Sequence, residues 1–210
     1  MCNLYAMTAP ADAIRRMFEV THGATPNLPS LERVRPTERV PVVRQASKGG
    51  QDGGRELALM RWGFVLPQGD KAPKPVTNAR SDKVNISSFW KSSFESRRCL
   101  VPVTAFGEWT QDASKALHWF RLKNAPEGLF AFAGLWRHWQ GELKGEKVSL
   151  DTMAFLTTEP NGDVRPIHPK SMPVILTPDQ YDAWLNGTPR EALSLARPLA
   201  DGALEVERAG

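Results

Sequence analysis

The chain has 210 residues, 41% of them apolar, which suits one globular unit with a sizeable core. Lys and Arg total 27 against 23 Asp and Glu, a formal charge of +4 that allows a phosphate-bearing partner without demanding one. Only two cysteines are present, so a disulfide framework or four-thiolate metal site is not expected. No apolar run approaches the roughly 18 residues of a membrane span, and the first residues lack a secretory pattern. A cytoplasmic protein with no membrane partner is expected.

In chain order, Met1-Cys2 comes first. Loss of the initiator methionine would leave Cys2 with a free α-amine beside its thiol, two nucleophiles able to attack one electrophilic carbon. With an aldehyde they would form a Schiff base and then a thiazolidine. An unperturbed α-amine titrates at about 7.7–8.0 and a cysteine at about 8.5, so modest tuning activates either. The plainer view is that a small second residue merely permits methionine removal.

A short strand through Asn3-Leu4-Tyr5 precedes an amphipathic helix over residues 11–20, which sets Ile14, Met17 and Phe18 on one side. Residues 27–41 read as irregular extended chain leading into an edge strand at Val40-Pro41-Val42-Val43. Glu56 to Phe64 forms its partner, with Ala58, Met60 and Trp62 on one face, and residues 47–54 form the hairpin tip. A helix is expected over residues 81–98, burying Trp90 and Phe94 at four-residue spacing. Strands follow at residues 99–103, 117–122, 129–136 and 152–157, rich in aromatic and β-branched side chains, with Cys99 as a small buried hydrophobe. Two helices end the chain, each with a capping box: Thr177-Pro178 with Gln180, and Thr188-Pro189 with Glu191. No internal repeat is present.

Three further polar stretches interrupt apolar or constrained chain. In Thr77-Asn78-Ala79-Arg80, Asn78 suits orientation of a bound group and Arg80 offers a planar fork for phosphate; taken alone, the pattern is better accounted for by helix capping and a surface arginine. Phe106-Gly107-Glu108-Trp109 places a carboxylate between aromatics, where desolvation would raise its pKa and suit it to general acid and base work; a strand-end ion pair is the alternative. His168 lies in a proline-rich turn before Val174-Ile175-Leu176 and is the natural proton shuttle. His22, His118 and His138 lack such a context, and the histidines and cysteines show no metal-ligand spacing. No cofactor is expected.

Taken together, Met1-Cys2 with Tyr5, Trp62-Gly63-Phe64, Thr77-Asn78-Ala79-Arg80, Arg98-Cys99-Leu100-Val101-Pro102, Glu108-Trp109, Gly134-Leu135-Trp136 and His168 with Met172-Pro173 resemble the SOS response-associated peptidase (SRAP) family. The similarity runs in order from Cys2 to about Trp184, leaving a C-terminal helix and tail over 186–210. The resemblance implies a single α+β domain over residues 1–210, with a central barrel-like, mainly antiparallel sheet and peripheral helices. It also implies a DNA-damage protein that binds single-stranded DNA and crosslinks to the ring-opened aldehyde of abasic sites. By motif match Cys2 is the nucleophile, Asn78 positions it against the sugar, Glu108 shuttles protons and His168 assists the Schiff-base step or β-elimination. Arg80 binds a flanking phosphate, Lys170 replaces the arginine of the family's histidine segment, and Trp62 is either a stacking surface for DNA or core. The family name further implies removal of Met1, by the chain itself or by a housekeeping aminopeptidase, and the resemblance implies lyase activity beside the crosslink.

Two departures stand out. Asn3-Leu4 replaces the family's common Gly-Arg, and one extra residue separates His168 from Met172. Two rivals remain: an N-terminal-nucleophile amidohydrolase acting on a small amide, with the Cys2 amine as base, and a noncatalytic DNA-binding module.

Overall fold

A computed structural model describes residues 2–23, 28–46, 54–69 and 71–209. The first strand, β1 (Tyr5–Met7), leads into α1 (Ala11–Met17), which ends earlier than its apolar pattern suggests because Val20 turns into β2 (Val20–His22). Residues 31–34, expected to be irregular, form β3 (Leu31–Val34) by pairing with β1, an edge that sequence pattern cannot show. β4 (Arg39–Gln45) and β5 (Arg55–Trp62) pair antiparallel, as expected. The expected hairpin tip between them lies, for residues 47–53, outside the described residues. β4 is not an edge strand, since Val43 and Arg44 also pair with Leu100 and Cys99. Pro41 is tolerated because it lies short of that second pairing.

A tight bend at Gly63 separates β5 from β6 (Phe64–Gln68), which pairs with β7 (Lys71–Val76). Gly63 has φ +115°, and a Cβ there would stand 2.9 Å from the Pro75 Cβ, so only glycine serves. β8 (Asn78–Arg80) follows directly. The expected long helix over 81–98 is instead a run of turns that ends in the short α2 (Lys91–Ser96). Serine and asparagine side chains and β-branched Val84 and Ile86 favour the turns over a continuous helix. The Trp90 and Phe94 pair is nevertheless buried.

β9 (Arg98–Val103), β10 (Ala105–Trp109) and β11 (Leu117–Leu122) follow, then the long hairpin of β12 (Phe130–Leu143) and β13 (Glu146–Thr158). Both hairpin strands run well beyond their expected ends. The extra residues pair in unbroken register from Leu135↔Ala154 to Leu143↔Glu146, closed by Lys144 and Gly145 at positive φ. Both faces of this extension carry polar groups, so no apolar alternation marks it in the sequence. β14 (Met172–Pro173) and β15 (Ile175–Leu176) lie against β13 and β12. The first expected capping box, at Thr177, starts a 3₁₀ turn over Pro178–Gln180 that runs into α3 (Tyr181–Asn186), the second starts α4 (Pro189–Leu195), and the tail forms β16 (Leu204–Arg208) on β11.

Closure decides the architecture. Thr152 and Met153 of β13 pair in parallel with Arg61 and Trp62 of β5, completing the circuit β13-β12-β9-β4-β5 as a five-stranded barrel. A second sheet, ordered β16-β11-β10-β1-β3, packs against it. The fold is thus α+β with a barrel-like, mainly antiparallel sheet and few helices. Aromatic rings fill the core: Trp62 stacks on Phe155 at 5.3 Å, and Tyr5 meets Trp62 edge-on at 5.1 Å and Phe132 at 6.0 Å. Tyr5, three positions after Cys2, thereby anchors the start of the chain in the barrel. Among the described residues no helix is long and apolar enough to cross a membrane.

Candidate active site

The start of the chain is held at both sides. Tyr5 and Ala6 pair with Phe106 and Ala105, and the Gly107 N–H donates to the Leu4 carbonyl at 3.0 Å. Gly107 permits this approach, since a Cβ there would stand 2.8 Å from the Leu4 side chain. On the other side the Thr77 hydroxyl donates to Asn3 Oδ1 at 3.2 Å. The Asn3 that departs from the family pattern therefore links β1 to the segment carrying Asn78, a contact with no signal in the sequence.

Cys2 follows from this placement. Its side chain is buried, with Sγ 3.5 Å from the Leu4 carbonyl oxygen. Burial, reinforced by the charge and hydrogen bonding of Glu108, pushes the thiol well above its ordinary range. It rests as a thiol and needs a base before it can attack.

Glu108 sits on β10 at 2% exposure, where Phe106 and Gly107 carry the strand under the chain's start. Burial raises its carboxyl to about 7, opposed in part by the hydrogen bond from the Cys2 thiol. Its Oε1 finds no hydrogen-bond partner among the described residues. A buried carboxyl titrating near neutrality, with one oxygen unused, is equipped to take and return protons.

His168 closes the third side. Its Nε2 stands 3.8 Å from Glu108 Oε2, and its Nδ1 lies 2.8 Å from the Ser171 carbonyl. That carbonyl accepts only from a protonated Nδ1, so neutral His168 presents an unprotonated Nε2 to Glu108. Desolvation lowers the imidazole pKa against the raising effect of the Ser171 bond. The extra residue before Met172 is absorbed in the turn that supplies Ser171, and the imidazole faces Glu108 regardless.

Asn78 is buried at the head of β8, which adds to β13 along the edge that β5 leaves: Phe155 pairs with Asn78 just beyond Met153 with Trp62. Its Nδ2 donates to the Thr77 carbonyl at 3.1 Å, while Oδ1 has no partner among the described residues. The same Thr77 carbonyl accepts from Trp62 Nε1 at 3.1 Å. Trp62 has no exposed surface, so it cannot stack on a base, and the DNA-stacking assignment is corrected to a core role. Arg80 points outward and pairs with Asp82 at 2.9 Å. Lys170 is exposed two positions after His168.

Cys2, Glu108 and His168 thus meet, Asn78 is tied to the same start of the chain through Thr77 and Asn3, and Arg80 and Lys170 lie outside. Among the described residues no group of three His, Cys, Asp or Glu side chains is placed to hold a metal ion.

The family model described as SOS response associated peptidase matches residues 1–209. The chain belongs to the SRAP family. Its relatives include Bacillus subtilis (strain 168) proteins named abasic site processing protein YoaM, 35% identical over 132 residues (62% of this chain, 56% of that protein), and YoqW, 30% identical over 189 residues (89% and 80%). A crystal structure of a protein from Bacteroides thetaiotaomicron aligns with TM-score 0.80 at 21% identity, covering 100% of this chain and 92% of the other. One from Bordetella bronchiseptica aligns with TM-score 0.75 at 22% identity, covering 100% of both. At these identities the two structures show that the fold is shared, and no more.

Proposed function

We propose that the protein processes abasic sites in DNA, single-stranded DNA foremost, by capturing the ring-opened aldehyde on Cys2. The carrying observation is the buried meeting of the Cys2 thiol, the near-neutral Glu108 carboxyl and the His168 imidazole. The names of the Bacillus relatives support the same substrate.

Release of Met1 gives Cys2 its free amine. The amine attacks the aldehyde carbon, and the carbinolamine loses water to form the Schiff base. Because the thiol rests protonated, it enters second: Glu108 takes its proton as Sγ bonds to the imine carbon, the imine electrons pass to nitrogen, and a thiazolidine closes. Aldehyde plus aminothiol gives thiazolidine plus one water. Protonated Glu108 can return the proton to nitrogen or sulfur, so the same group serves reversal. His168 moves protons at the Schiff base, where β-elimination is the competing lyase outcome. Asn78 Oδ1, buried and unpartnered among the described residues, suits a sugar hydroxyl, and Arg80 and Lys170 suit flanking phosphates. Autocatalytic removal of Met1 belongs to the same proposal, with Glu108 as the proton carrier.

Intact mass before and after mixing with an oligonucleotide carrying one abasic site tests the reading. Loss of Met1 and a DNA-sized covalent increment that requires Cys2 are expected. A processed chain that forms no adduct would sink it and favour small-amide hydrolysis or simple binding.

A further inference from the structure

The polar extension of the β12–β13 hairpin carries a second cluster that the chemistry above does not use. His138 pairs across the ribbon with Asp151, and Gln140 with Ser149, so these four side chains share one face. Their hydrogen bonds run in one direction. Gln140 Nε2 donates to Ser149 Oγ at 3.2 Å, which leaves the serine proton for His138 Nε2 at 3.0 Å. His138 Nδ1 then donates to Asp151 Oδ1 at 2.8 Å, and Arg44 donates to Asp151 Oδ2 at 3.1 Å. This polarity sets the imidazole tautomer with its unprotonated nitrogen toward the hydroxyl, the state in which a histidine can accept the proton of an attacking serine.

The order serine to Nε2, Nδ1 to carboxylate is that of a nucleophile, base and orienting acid, and chain order is irrelevant to such a relay. The acid is itself fixed, because Arg44 also pairs with Glu56 and stacks over the Trp136 ring at 4.1 Å. A merely solvated hairpin face would border open water. This one lines a cleft of about 460 Å³ together with Arg39, Leu59, Arg61 and Leu150. The cluster therefore shares a space that admits a small molecule with two leucines and two arginines.

We propose that Ser149, His138 and Asp151 form a second hydrolytic site, acting on small carboxylic esters that carry an anionic group. Ser149 Oγ attacks the ester carbonyl while its proton passes to His138 Nε2. The carbon–oxygen bond to the leaving group breaks, and His138 gives the proton to the departing alkoxide. Water then attacks the acyl-serine, again through His138, and releases the acid with Ser149 restored. The sum is ester plus water to acid plus alcohol. Arg39 and Arg61, which line the same cleft, hold the anionic group. The site is open on its solvent side, so a leaving group that departs readily as an oxygen anion suits it better than the amine of an amide.

The test is run on Cys2→Ala protein, so that the thiol contributes nothing. Phenylmethylsulfonyl fluoride is expected to add one sulfonyl group, mapped to Ser149 by peptide mass. Hydrolysis of p-nitrophenyl succinate is expected to fall about 100-fold or more in Ser149→Ala and in His138→Ala, with melting temperature unchanged because both side chains are exposed. Arg61→Gln should raise KM for the succinate ester by a larger factor than KM for p-nitrophenyl acetate. Hydrolysis that persists in Ser149→Ala would overturn the proposal. So would a cleft that binds inorganic phosphate but takes no label at Ser149, which would make the cluster an anion cradle.

Discussion

Glu108 Oε2 and His168 Nε2 stand 3.8 Å apart with the two side chains 3% and 6% exposed. Two proton carriers withdrawn from water at that spacing have opposed shifts: burial raises the carboxyl and lowers the imidazole, so both neutral forms are favoured. A proton passed from Glu108 to His168 would turn two neutral groups into an adjacent ion pair, leaving the net charge of the buried site unchanged.

Stability should therefore decline with rising pH through the Glu108 titration. The folded carboxyl titrates at about 7, whereas an unfolded glutamate titrates near about 4.3. Between those values the folded chain holds a proton that the unfolded chain has released, so folding weakens as pH rises, by about 4 kcal/mol once both are ionised. Glu108→Gln removes this titration. Its melting temperature should exceed that of the parent at about pH 8 and converge with it near about pH 4, while abasic-site crosslinking falls roughly 100-fold. Equal melting temperatures at the higher pH would contradict the assignment.

Asn78→Ala should separate function from stability. The side chain makes one hydrogen bond at 3.1 Å and buries one carbonyl oxygen without a partner among the described residues. Losing both changes stability by no more than about 1 kcal/mol. The single-turnover crosslinking rate should drop at least about 10-fold, as expected for an oriented group that is removed. Parallel losses of melting temperature and rate would assign Asn78 a structural role instead.

Arg80 and Asp82 offer a competition between a carboxylate and a DNA phosphate. The pair is 54% exposed on both sides at 2.9 Å and is readily exchanged in water. Arg80→Ala should weaken binding to single-stranded DNA and reduce the slope of log affinity against log salt by about 0.7. Asp82→Asn should tighten binding at low salt. Fluorescence anisotropy over a salt series reads both, and an Arg80→Ala slope equal to the parent's would exclude the phosphate contact.

Tyr5 should act on the chemistry through position alone. Its ring is packed by Trp62, Phe132 and Phe155, but its hydroxyl is buried with no partner among the described residues. Tyr5→Phe should leave the melting temperature the same or higher and preserve crosslinking. Tyr5→Ala should cost about 3–5 kcal/mol and slow crosslinking beyond the fraction unfolded, because Cys2 is no longer aimed at Glu108. Normal crosslinking by the folded fraction of Tyr5→Ala would refute the anchoring role.

What the sequence by itself determined was chemical and local. An aminothiol, a carboxylate set between aromatics and a histidine in a proline-rich turn declare their capacities through residue type, and the capping boxes at Thr177 and Thr188 are satisfied within four residues. Apolar alternation likewise marked the barrel strands, since burial on one face leaves a period of two. Tertiary structure decided everything that depends on distant pairing. The closure of β13 on β5 buries Trp62, the turns after Arg80 replace a helix, and the polar ribbon from 137 to 151 has no core to give it a pattern. The tie from Thr77 to Asn3 and the approach of His168 to Glu108 join segments far apart in the chain. Their energies come from geometry that exists only once the barrel has closed, so no local run of residues could announce them.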